Sequence, residues 1–147
     1  MTPRPLSLKG RALRLLGMRE HSRAELERKL ASHEQEPGEL QRVLDDLQAK
    51  DFISNERAAE SVLHRRSARL GAGRIRQELQ AKGIAAELVA ASLASLKATE
   101  LERAREVWRK KFGEPPQDAV QRARQARFLV SRGFSGEVVA RVLRLDD

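Results

Sequence analysis

Apolar side chains recur at i, i+3, i+4 and i+7 along nearly the whole chain, a spacing that gathers them on one face of a helix. No alternating run is long enough to suggest a half-buried strand. Caps and breakers divide the pattern into elements. Helices are expected near Ala12–Met18, from Arg23 to about Ser32 and from Glu39 to Lys50. A second group runs near Asn55–Leu70, then from a glycine break at Gly71–Gly73 to Lys82, then on to about Leu96. A third starts at Thr99, resumes after Pro115 and Pro116 up to Arg132, and closes with a helix opened by Ser135. Ser22 followed by Glu25 is a capping box: the hydroxyl accepts an orphan backbone N–H and the carboxylate reaches back. Thr99 and Glu102 match the same pattern. Gly83 and Gly133 stand where a left-handed residue would end a helix.

The pattern also repeats. A shift of 49 superposes Leu26 on Ile75, Leu30 on Leu79, Leu40 on Val89, Leu44 on Leu93 and Leu47 on Leu96. A further shift of 50 carries Leu79 to Leu129, Gly83 to Gly133, Ile84 to Phe134, Val89 to Val139 and Leu93 to Leu143. Apolar positions persist while the charges between them drift, as expected of repeated structural units. Three short helices bury little surface alone, so the units should stack on one another. The expected fold is all-α: an elongated, curved array of three tandem three-helix units, spanning 1–54, 55–98 and 99–147.

Composition changes the picture in two ways. There is no cysteine, which excludes disulfides, thiolate metal sites and cysteine nucleophiles. Charge is unevenly spread: residues 1–24 carry a net +5, residues 25–60 a net −5, and residues 61–147 a net +8. A basic body with an acidic first lobe suits nucleic acid or an acidic protein surface. No secretory h-region and no run near the roughly 20 apolar residues of a membrane span is present, so a cytoplasmic protein with no membrane partner is expected.

Candidate catalytic chemistry is sparse. His21, His33 and His64 lie in polar or charged settings without helical ligand spacing and read as solvent-exposed. Asp45, Asp46 and Asp51 flank apolar core positions and read as a solvated face. The glycines at 71–73 lack a preceding strand and a following Lys-Ser or Lys-Thr, so they read as an inter-helix turn, not a phosphate loop. Phe52, Trp108, Phe112, Phe128 and Phe134 fall at apolar helical positions and read as core. No enzyme and no cofactor is expected. A helix-turn-helix DNA-binding regulator is one alternative, although its reading helix would carry Glu39, Asp45, Asp46 and Asp51 toward phosphates.

Three phrases taken together, "ALRLLGMREHSRAELERKL", "VLDDLQAKDFISNERAAESVLHRR" and "RLGAGRIRQELQAKGI", resemble the RecX family, regulators of the recombinase RecA. The resemblance runs from about Ala12 to Leu96 and weakens beyond. Asp51 departs from it, standing where a glycine is usual before Phe52. The resemblance implies tandem three-helix units, binding in the helical groove of the RecA filament on single-stranded DNA, and inhibition of strand exchange, ATP turnover and filament extension. On that reading a monomeric rod meets successive recombinase subunits, with weak, largely non-specific DNA binding. Its contact surface would comprise Arg65, Arg66, Arg69, Arg74, Arg76 and Lys82, extended by Arg105, Arg109, Lys110, Lys111, Arg122, Arg124 and Arg127.

Overall fold

A computed structural model describes residues 5–144, so the outer bounds 1 and 147 expected for the end units lie outside the described residues. Among those residues every regular element is helical. The α-helices are α1 (Leu8–Met18), α2 (Arg23–Leu30), α3 (Glu39–Ala49), α4 (Asn55–Arg66), α5 (Ala72–Ala81), α6 (Ala86–Lys97), α7 (Glu100–Lys111), α8 (Ala119–Ser131) and α9 (Gly136–Leu143), with one 3₁₀ turn at Ala31–His33.

Local chemistry sets most of the boundaries. The Ser22–Glu25 capping box is formed in both directions, and Ser54, Asp118 and Ser135 cap α4, α8 and α9 with their side-chain oxygens. Helix α1 begins earlier than its apolar pattern suggests, because the Ser7 hydroxyl accepts from the Gly10 N–H. The second expected capping box is not formed. Thr99 has helical dihedrals, and its hydroxyl donates to Leu96 O and accepts from Arg103 Nε, so α6 and α7 meet in one tight corner. Gly83 and Gly133 do end their helices, at φ +69° and +94°.

Each set of three helices closes its own core. Leu26, Leu30, Leu40, Leu44 and Leu47 are buried in the first, and their counterparts Ile75, Leu79, Val89, Leu93 and Leu96 in the second. Leu129, Phe134, Val139 and Leu143 are buried in the third. The superposed positions are therefore the core positions, which is why they outlast the drift in charge. The accessible surface of 9695 Å² well exceeds the roughly 7600 Å² expected of a compact monomer of 16.6 kDa, as separate cores in a row require.

Two polar joints link the units. At the first, the C-terminal end of α5 sits on the start of α2: Ser22 Oγ donates to Lys82 O at 2.5 Å, and Asn55 Oδ1 accepts the Arg23 N–H at 3.0 Å. At the second, the end of α8 sits on the start of α5: the Gly71 N–H donates to Arg132 O at 2.7 Å and the Gly73 N–H to Gly133 O at 3.0 Å. The repeat shifts carry Ser22 to Gly71 and Lys82 to Arg132, so one carbonyl position receives its bond by a hydroxyl in one joint and by a backbone amide in the other. In the second joint, carbonyls at the end of α8 accept from amides at the start of α5, which satisfies orphan groups and aligns opposite dipole ends; in the first, the Ser22 hydroxyl and the Asn55 side chain take those roles. Gly71–Gly73 is accordingly not a loose turn. A Cβ on Gly71 would lie 2.5 Å from the Gly133 carbonyl, so two chains meet backbone to backbone there.

Candidate partner-binding surface

The first joint holds a buried carboxylate. Glu25 accepts from Arg19 Nη2 at 2.8 Å, from Lys82 Nζ at 3.1 Å and from the Ser22 N–H at 3.0 Å. Burial alone would raise its carboxyl, but the hydrogen bonds from Arg19, Ser22 and Lys82 hold it down at about 2. His21, expected in solvent, is buried beside this group; Arg19 O lies 3.0 Å from Nδ1 and Lys29 Nζ lies 3.1 Å from Nε2. Burial lowers its basicity, helped by the charges of Arg19 and Lys29 and opposed by the hydrogen bond to Arg19 O. Lys82, expected on the contact surface, lies within the joint in this structure. Its side chain is largely buried and its ammonium is paired with Glu25.

The second joint is built from cations. Arg103 of α7 donates to Ser67 O at 2.7 Å, Leu70 O at 2.9 Å and Leu96 O at 3.2 Å, closing the turn between α4 and α5 from the next unit. Burial depresses its basicity, with only Glu100 opposing. Beside it, Arg66, Arg69, Arg74 and Arg132 line an open cleft of about 500 Å³ with Leu70, Gln77 and Glu78. Arg66 Nε is 3.3 Å from Glu78, Arg74 Nη1 donates to Ser131 O at 2.8 Å, and the Arg132 guanidinium lies over the Phe128 ring at 4.9 Å.

The remaining basic residues disperse along the second and third units. Arg65 and Arg76 are exposed on α4 and α5. Arg105 and Arg109 line a second cleft of about 450 Å³ with Trp108, Arg141 and Arg144. Arg109 is partly neutralised by Glu106 at 2.6 Å, whose carboxyl it holds below the usual range, and Lys110 lies 3.8 Å from the same group. Lys111 sits over Phe128 at 5.4 Å. Arg122, Arg124 and Arg127 are exposed on α8, Arg122 reaching Leu143 O at 3.5 Å and Arg124 lining a separate cleft with Phe112. The structure thus gathers Arg66, Arg69 and Arg74 in one place and Arg105 with Arg109 in another. Arg132, Arg141 and Arg103 were missed by the sequence reading. Arg132 had a signal, since it precedes a glycine and a large apolar residue as Lys82 does.

Of the five aromatic residues expected in cores, Phe134 is buried, whereas Trp108, Phe112 and Phe128 are half-buried and Phe52 is 49% exposed. On the acidic lobe, Arg23 holds Gln41 and Gln48 at 2.7 Å each and Asp45 at 2.7 Å, so the polar face of α3 is tied to α2. Among the described residues, no group of three or more His, Cys, Asp or Glu could hold a metal ion, and no helix is long and apolar enough to cross a membrane.

These features define a helical-repeat protein of three jointed three-helix units, with arginine-lined clefts at the second joint and on the third unit. Family models for the first, second and third three-helix domains of RecX match residues 9–47, 54–93 and 98–143. The Regulatory protein RecX of Leptothrix cholodnii is 61% identical over 142 residues, covering 97% of this chain and 90% of that one. That of Ralstonia nicotianae is 49% identical over 140 residues, covering 95% and 88%. The crystal structure of RecX from Lactobacillus salivarius superposes with a TM-score of 0.80 at 20% identity, covering 93% of this chain and 92% of that one, which bears on the fold alone. The chain belongs to the RecX family. The family match extends through the third unit, beyond Leu96, where the phrase resemblance weakened.

Proposed function

We propose that this chain is a regulator of the RecA recombinase: it binds in the groove of the RecA–single-stranded DNA filament and inhibits strand exchange, ATP hydrolysis and filament extension, and so modulates recombination and DNA repair in the cytoplasm. The observation that carries this reading is the alignment of the units. The exposed arginines span the second and third units and the joint between them, so a repeating ligand can be met at successive points. Individual exposed charge pairs are worth at most about 1 kcal/mol, and several acting together set association rate and salt sensitivity. The proposed contact set is Arg65, Arg66, Arg69, Arg74, Arg76, Lys82, Arg105, Arg109, Lys110, Lys111, Arg122, Arg124 and Arg127, of which Lys82 also pairs with Glu25 inside the first joint. A helix-turn-helix regulator acting on duplex DNA alone has less support. The third helices α6 and α9 turn Val89, Leu93, Val139 and Val142 into cores, and Gln41 and Gln48 of α3 are held by Arg23.

The test is to add purified protein to preformed recombinase filaments and follow ATP hydrolysis. Hydrolysis should fall with added protein, and the combined Arg65→Ala, Arg69→Ala and Arg74→Ala variant should keep its helicity while inhibiting less. Unchanged hydrolysis at several-fold excess over filament subunits would refute the proposal.

A further inference from the structure

The two joints are the same structural position met twice, and they are neutralised differently. At the first, the Glu25 carboxylate lies between Arg19 and Lys82 and satisfies both cations from within the chain. The repeat shifts carry Glu25 to Arg74 and Lys82 to Arg132. The second joint therefore has an arginine where the first has its carboxylate. Around it stand Arg66, Arg69 and Arg132, drawn from the end of α4, the turn after it and the end of α8, with Glu78 as the one carboxylate lining the cleft. Glu78 is taken by Arg66. Among the described residues, Arg69, Arg74 and Arg132 have no carboxylate oxygen within 4.0 Å.

Four arginines line this one open cleft, Arg74 also donating to Ser131 O and Arg132 also lying over Phe128, and guanidinium forks of this kind suit a tetrahedral oxyanion. The cleft of about 500 Å³ has room for one or two such groups, and its walls come from both units. We infer that the cleft between the second and third units is a phosphate-binding site, in which an external phosphate group takes the place that the Glu25 carboxylate fills at the first joint. The phosphate comes from the diester backbone of a nucleic-acid strand or from a free phosphate ion. Because Arg66 and Arg69 belong to one unit and Arg132 to the next, its binding also tightens the joint. The inference rests on the regulatory reading only in naming a strand as one source. Binding is measured on the isolated chain, so its failure is separate from a failure to inhibit filaments.

The experiment is a thermal melt at constant ionic strength as chloride is replaced by inorganic phosphate, alongside binding of a short oligothymidylate and of its uncharged methylphosphonate analogue. The wild-type midpoint should rise saturably with phosphate. Arg69→Ala, whose side chain forms no hydrogen bond or ion pair among the described residues, should weaken the response roughly threefold to tenfold. Arg74→Glu, which rebuilds the carboxylate of the first joint, should abolish the response and leave a folded chain. Arg28→Ala, an equal loss of charge on the exposed face of α2, should respond like wild type. If the oligothymidylate competes with phosphate and the methylphosphonate does not, the strand is a source; if phosphate binds without such competition, the site takes the free ion. Equal responses from wild type, Arg69→Ala and Arg74→Glu would overturn the proposal, as would a midpoint that does not rise with phosphate. A rise produced by polyglutamate and not by phosphate would overturn it too.

Discussion

Glu25 and Lys82, 57 residues apart in the chain, form a 3.1 Å ion pair in which both side chains are largely buried. Arg19 approaches the same carboxylate at 2.8 Å, so the first joint is a closed three-charge cluster. Removing one member of such a cluster leaves the rest desolvated and unpaired. Glu25→Ala should destabilise the protein by about 3 kcal/mol, read as a lower denaturant midpoint in urea. Replacing Glu25 and Lys82 together by Met should cost much less, and an equal cost would show that the pair is incidental.

The same cluster sets an acid limit. The Glu25 carboxyl lies at about 2 in the folded chain, below its usual 4.5, so its contribution is fully present above about 4.5 and is lost as pH falls toward 2. His21, also shifted down, acts in the same direction at higher pH: its contribution is intact above its usual 6.5 and declines as the solution is acidified. Stability should therefore drop in two stages on acidification. His21→Gln should flatten the upper stage and Glu25→Gln the lower, with the Glu25 part on the order of 1–2 kcal/mol. Urea midpoints between pH 7 and pH 2.5 check both.

Gly133 combines φ +94° with a contact that a Cβ would bring to 2.5 Å from Arg74 N. Gly133→Ala should destabilise by about 2 kcal/mol or more and open the second joint, seen as faster proteolysis near residues 67–71. Gly17, inside α1 with nothing within 4 Å of an added Cβ, is the matched control. Gly17→Ala should stabilise by about 0.5–1 kcal/mol.

Arg103 bonds three carbonyls through a planar fork, and a lysine cannot reproduce that geometry. Arg103→Lys should cost about 2 kcal/mol even though charge is kept, and faster amide exchange should follow at residues 67–72.

The repeat was legible because burial selects residue type at each core position. Leu26 and Ile75, or Leu79 and Leu129, face the same demand in successive units, and the period survives whatever happens between them. Caps set by one local oxygen, such as Ser22 and Ser135, were legible for the same reason. The joints were not. Nothing local to "GAG" says that it lies against Gly133, and nothing near His21 shows the burial supplied by its neighbours. Thr99 carried a capping pattern that lost to Arg103, which needed the same hydroxyl as an acceptor. Lys82 and Arg74 looked alike as basic residues; one neutralises Glu25 and the other lines an open cleft, a difference made by partners far away in the chain. Asp51 is the converse case. Its departure from the family's glycine was visible, and its φ of +67° gives the reason that glycine is usual there.

On the proposed function, the jointed array would recognise a recombinase filament as a polymer and not DNA as such. Fluorescence anisotropy of the labelled chain against filaments, and against the same single-stranded and duplex DNA without recombinase, tests it most directly. Binding to the filament should be at least about tenfold tighter, with the binding to bare DNA weak and disappearing as salt rises. Equal affinity for bare single strands, or tight sequence-selective binding to duplex at physiological salt, would contradict it.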